Sequence, residues 1–196
     1  MLILKHRITH AEAGFTLIEM MIVVVITAIL LALAIPAFQD TIDRNRLKSA
    51  AETMLSDLEL MKLESVKRSQ SVYFSIRNDN AAAGDWCYGM RNSASCDCQS
   101  TTCTIDGISK LVSYNDFKGV KITAPTTTSP TPHDLWVEQV RGTIDWTSRA
   151  STTYDYRIRL TSARGKELDI EVSTLGRFRI CSPSGSSNVF GYPTCS

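Results

Sequence analysis

One acid, Glu19, stands near the head of a run that is otherwise free of charge from Phe15 to Ile35. About 20 helical residues cross the hydrocarbon core of a bilayer, so this segment is long enough to span one. An ionised carboxylate in hydrocarbon is costly and marks a function with a partner to be named. The natural partner is an amine. The small pair Ala13-Gly14 precedes the apolar run, whereas a secretory signal places its cleavage site after a shorter one. A cut after Gly14 would leave Phe15 as a new N-terminus, its amine one helical turn from Glu19.

Gly14-Phe15-Thr16-Leu17-Ile18-Glu19, the apolar stem and Pro36 resemble the class III signal of type IV pilins and pseudopilins. That resemblance implies cleavage after Gly14 by a prepilin peptidase and methylation of the Phe15 amine. It also implies that Glu19 neutralises the Phe15 amine of a neighbouring pilin subunit and sets the register of assembly. The expected organisation is a leader at 1–14, a transmembrane and assembly helix at 15–36, an amphipathic stem at 37–70 and a β-rich head at 71–196. The expected place is the bacterial inner membrane, with the head in the periplasm, and the pilus.

The chain without its first 14 of 196 residues keeps 182, enough for a stem and one core. Overall charge excludes nothing. Lys+Arg stand at 21 against 20 Asp+Glu, and loss of Lys5, Arg7 and Glu12 with the leader makes this 19 against 19. Any electrostatic function must therefore be local.

Beyond the bilayer, Ile42, Leu47, Ala51, Met54, Leu55, Leu58 and Met61 recur at three- and four-residue steps, which predicts one buried stripe on a helix. Pro36 is expected to kink or loosen that helix. The period then falls to two. Val72, Phe74 and Ile76 alternate with Tyr73, Ser75 and Arg77 in a half-buried strand. Residues 79–107 read as an irregular Cys-, Ser- and Asp-rich segment. Shorter strands are expected near 110–114, 119–124, 134–140 and 142–147, interrupted by a surface loop at Thr126–Pro132. A long helix followed only by strands implies an α+β fold, the helix laid across an antiparallel sheet.

The cysteines are Cys87, Cys96, Cys98, Cys103, Cys181 and Cys195, none in the apolar stem. Behind a membrane-targeting leader, an even set reads as three disulfides formed in an oxidising compartment. Cys181 and Cys195 bracket a Ser/Gly/Pro-rich loop and are expected to pair. Cys96 and Cys98 are too close to suit each other, so each is expected to take Cys87 or Cys103. The spacing reproduces no paired C-x-x-C zinc site.

In the last third, Tyr154, Tyr156, Ile158 and Leu160 alternate with charged or polar residues, as do Leu168, Ile170 and Val172. A turn at 162–166 would pair Leu160 with Leu168 and Ile158 with Ile170. On the wet side Arg159 would then meet Asp169, and Arg157 would meet Glu171, as cross-strand ion pairs. Arg177 and Arg179 differ, because no acidic residue follows Glu171. Two apart on a strand, they share a face roughly 6.7 Å apart, comparable to successive phosphates of a nucleic-acid strand. Arginine forks bind phosphate bidentately. Gly176 would allow close backbone approach, and Arg164 and Lys166 could extend the basic surface.

Gly176-Arg177-Phe178-Arg179 also resembles the GRxR motif of FimT-type minor pilins in the GspH/FimT family. The resemblance implies non-specific DNA binding in natural transformation, with DNA and other pilin subunits as partners. The alternatives are a pseudopilin of type II secretion and a minor pilin acting only in assembly. Gly-rich phosphate loops and HExxH helices are absent, and no catalytic or cofactor role is expected. His133 reads as a loop histidine. Trp86, Trp136 and Trp146 read as sheet or core positions rather than base-stacking platforms.

Overall fold

The computed structural model describes residues 14–80, 85–100, 103–123, 133–146, 156–185 and 187–195. The expected leader up to residue 13, the Thr126–Pro132 loop and Tyr154 lie outside them. The chain forms two compact units, Met1–Gln39 and Asp40–Ser196. Helix α1 runs Leu17–Arg68 and continues through Pro36. In the first unit Thr16 caps the helix: the Glu19 backbone N–H donates to Thr16 Oγ1 at 3.3 Å. Thr16-x-x-Glu19 is the sequence form of a capping box, and an acid in the first turn suits the positive end of the helix dipole. This stretch is long and apolar enough to cross a membrane.

In the second unit α1 buries Leu47, Ala50, Ala51, Met54, Leu58, Met61 and Ser65 along one face. The predicted stripe holds except at its start, since Ile42 is 41% exposed. Ser69, with a positive φ of 50°, ends the helix, and Ser65 Oγ donates to Gln70 O at 2.8 Å. The strands that follow are β1 (Val72–Asn80), β2 (Asp85–Asn92), β3 (Thr104–Ile105), β4 (Ile108–Ser109), β5 (Leu111–Ser113), β6 (Val120–Thr123), β7 (His133–Val137), β8 (Ile144–Trp146), β9 (Tyr156–Ser162), β10 (Glu167–Val172) and β11 (Phe178–Cys181). They make a five-stranded sheet in the order β5-β2-β1-β7-β8, a four-stranded sheet in the order β11-β10-β9-β6, and the β3–β4 hairpin. All ladders between these strands are antiparallel. The fold is α+β, as expected.

The core joins the helix stripe to Phe74, Ile76 and Tyr88 of one sheet and Ile122, Ile158, Leu160, Leu168 and Ile170 of the other. Each such buried side chain contributes about 1.5–3 kcal/mol relative to exposure. Phe74 and Tyr88 stack at 4.9 Å. Trp86 is buried and donates from Nε1 to Val120 O at 2.8 Å, so it is a core residue. Trp146 is buried, and Trp136 stacks on Tyr73 across the β1–β7 pair.

Two expectations fail here. The segment 79–107 contains β2, a strand buried on both faces. Trp86, Tyr88 and Met90 join the core, while Cys87 belongs to a separate cluster with Cys96, Cys98 and Cys103. A Cβ on Gly89 would stand 2.5 Å from Cys103 Cβ and Sγ, so only glycine fits under that cluster. His133 begins β7, paired with Ile76, rather than lying in a loop.

Candidate nucleic-acid interface

The β9–β10 ladder has the expected register, Leu160 with Leu168, Ile158 with Ile170, Arg159 with Asp169 and Arg157 with Glu171. β11 adds to the other edge of β10 and brings Arg179 opposite Glu171. Glu171 is therefore held from both sides. Arg157 Nη2 donates to Oε1 at 2.6 Å and Arg179 Nε donates to Oε2 at 2.6 Å. Asp169 is fully buried and receives Arg159 Nε at 2.8 Å and Nη2 at 2.9 Å. These bonds hold Arg159 above its ordinary pKa, chiefly through the Asp169 hydrogen bonds.

The expectation that both tail arginines lack acidic partners is corrected for Arg179. The absence of acids after Glu171 in sequence says nothing about acids across the ladder. Glu167 also joins the face, 3.6 Å from Arg159 Nη1. Arg157, Arg159 and Arg179 thus face Glu167, Asp169 and Glu171, three cations against three acids, so the ladder itself carries no surplus of positive charge. Arg179 keeps a side chain 51% exposed.

Arg177 is exposed and precedes β11 in the β10–β11 turn; among the described residues it has no ion pair. The turn is closed by Ser173 N–H donating to Arg177 O and Gly176 N–H to Ser173 O, both at 2.9 Å. Gly176 has φ +74°, and a Cβ there would lie 3.0 Å from Gly142 O and from Lys62 Nζ. Both conformation and space call for glycine. Lys62 Nζ donates to Gly176 O at 2.9 Å, tying the turn to α1. Sequence reasoning missed Lys62, since no local pattern links residues 114 apart.

Two grooves meet at Arg177 and Phe178. One, about 360 Å³, is lined by Glu171, Ser173 and Arg179 as well; the other, about 520 Å³, runs beside Glu59, Lys62, Leu63 and Val66.

Arg164 and Lys166 do not join this site. They occupy the turn at the other end of β10, roughly 17 Å away for five steps of about 3.4 Å. Arg164 Nε lies 3.3 Å from Asp43 Oδ2 on α1. The cysteines pair as Cys87–Cys98, Cys96–Cys103 and Cys181–Cys195, which leaves none of these thiolates for zinc. The last bridge closes the tail behind β11, where Tyr192 Oη donates to Glu52 Oε1 at 2.7 Å. Gly14 and Phe15 are exposed.

An apolar N-terminal helix and an antiparallel head packed on the amphipathic part of that helix define a pilin-like architecture. Residues 9–35 match the prokaryotic N-terminal methylation motif, and residues 50–190 match the family described as type II transport protein GspH. The chain belongs to this GspH family of pilin-like proteins. It is similar to a fimbrial protein of Neisseria meningitidis serogroup A, 28% identical over 172 residues, 81% of this chain and 89% of the relative. A fimbrial protein of Moraxella nonliquefaciens is 43% identical over 75 residues, 38% of this chain and 47% of the relative. Fimbrial protein EcpC of Eikenella corrodens is 38% identical over 79 residues, 38% of this chain and 46% of the relative. No solved structure matches. The family is one of structural pilins, which implies association with other pilin subunits and processing by a prepilin peptidase.

Proposed function

We propose that this chain is a minor type IV pilin that binds DNA without sequence preference and assists its uptake in natural transformation. The peptidase cuts between Gly14 and Phe15, and the Phe15 amine is methylated. The apolar part of α1 anchors the subunit in the inner membrane with its head in the periplasm, and Glu19 pairs with the Phe15 amine of a neighbour during assembly. The observation that carries the DNA reading is Arg177: an exposed guanidinium without an ion pair among the described residues, on a glycine turn tied to the helix by Lys62. Half-exposed Arg179 stands two residues on. Such a site recognises phosphate, and base identity has no reader in it.

The test titrates the full chain in non-ionic detergent with duplex DNA, comparing wild type with Arg177→Gln and with Arg177→Gln, Arg179→Gln. Wild-type affinity should fall with salt at a log–log slope of about −0.9 per phosphate neutralised. The single variant should weaken binding and flatten that slope. Equal binding by all three proteins removes the site. A second reading, a structural subunit of a secretion or pilus filament with no ligand, is favoured by the Arg179–Glu171 pair and by the family description. Absence of wild-type binding would select it.

A further inference from the structure

The β10–β11 turn does not stand by itself. The β7–β8 turn, residues 138–143, lies against it: Gly142 O is 3.0 Å from the Cβ position of Gly176, and Ile144 N–H donates to Thr174 O at 3.0 Å. The β7–β8 turn is itself closed by Gly142 N–H donating to Glu138 O at 2.8 Å. Each turn displays an apolar tip and an exposed arginine. Val140 is 83% exposed beside Arg141, and Leu175 is 66% exposed near Arg177. Among the described residues neither arginine has an ion pair. The acids nearby are Glu138, whose Oε2 accepts from Thr143 Oγ1 at 3.0 Å, Glu59 in the groove with Lys62, and Glu171, which shares a groove with Arg177 and is paired with Arg157 and Arg179.

We propose that Arg141 is a second DNA-contacting residue, so that the nucleic acid lies across the two adjoining turns. This extension rests on the DNA-binding reading. It differs from a track along β11, where Arg179 already answers Glu171, and from one reaching the distant turn of Arg164 and Lys166. The pattern suits a phosphodiester backbone, which alternates anionic phosphates with largely apolar sugar edges. Two guanidiniums on separate hydrogen-bonded turns take two phosphates, while Val140 and Leu175 meet the sugars. Neither turn carries an aromatic that could select a base, so the contact stays indifferent to sequence.

The experiment uses the full chain in non-ionic detergent and a short fluorescent duplex, with salt titrations of wild type, Arg141→Gln, Arg141→Lys, Arg177→Gln and Arg164→Gln with Lys166→Gln. Arg141→Gln should weaken binding several-fold at low salt and make the slope shallower by about 0.9, the loss of one phosphate contact. Arg141→Lys should keep the wild-type slope, and the Arg164/Lys166 pair should leave affinity and slope unchanged. Wild-type behaviour of Arg141→Gln beside a weakened Arg177→Gln overturns the role of Arg141 and leaves the proposed function standing. A loss confined to the Arg164/Lys166 variant overturns the two-turn path as well. If wild type binds no duplex, both readings fall together.

Discussion

Asp57 shows what one half-buried carboxyl does to this fold. Tyr88 Oη donates to Asp57 Oδ2 at 2.9 Å, joining α1 to the centre of β2. Burial raises the Asp57 pKa, while the Tyr88 hydrogen bond and Lys110 pull it down by less. A carboxyl whose folded pKa lies above its unfolded value binds more protons when folded, so its penalty is present at neutral pH and fades as pH falls through the folded pKa. Asp57→Asn keeps an acceptor for Tyr88 without the charge. Its melting temperature should exceed wild type at pH 7, and the gap should close toward pH 4, as thermal melts across that range would reveal. A gap that widens on acidification would refute the account. The tail arginines are likewise unequal residues: Arg177→Gln removes a cation, whereas Arg179→Gln also takes one of two partners from buried Glu171. That distinction was hidden in sequence, because the length of the β10–β11 turn decides which residue faces Glu171.

Among elements, legibility followed solvent. The helix stripe, β1 and β9 keep a wetter face, and β10 carries Asp169 and Glu171 opposite its apolar residues although both acids are buried under arginines. Period 3.6 or period 2 therefore showed in the residues, and the β9–β10 register could be read rung by rung. β2 has no wet face. Its second side is covered by disulfides, so Trp86-Cys87-Tyr88-Gly89-Met90 shows no alternation of apolar and charged residues. Gly89 tests this arrangement. Gly89→Ala would force its Cβ to within 2.5 Å of Cys103 and 2.9 Å of Lys110 O. Overpacking of this kind costs about 1–3 kcal/mol, and urea denaturation should show a loss of at least that size. A neutral result would mean the Cys96–Cys103 loop yields easily. The convergence of Lys62, Arg141 and Arg177 was illegible for another reason, since it depends on three elements far apart in sequence meeting at Gly176.

For the whole molecule, three bridges supplement the core. Cys181–Cys195 closes a loop with a separation of 14 residues, and cross-linking a loop of that size contributes about 3 kcal/mol by chain entropy. Replacing both cysteines by serine should lower unfolding stability in urea by about that amount and free the tail after Cys181. Limited proteolysis would report the freed segment, and an equally protected tail would show that Tyr192 and Val189 suffice to hold it. The other two bridges carry a different consequence. They form the cover of β2 where another protein would place aliphatic side chains, so this head completes its packing by a chemical step rather than by collapse. A head kept under reducing conditions would stall with that strand uncapped, and the oxidation of four thiols therefore sets the timetable of its maturation.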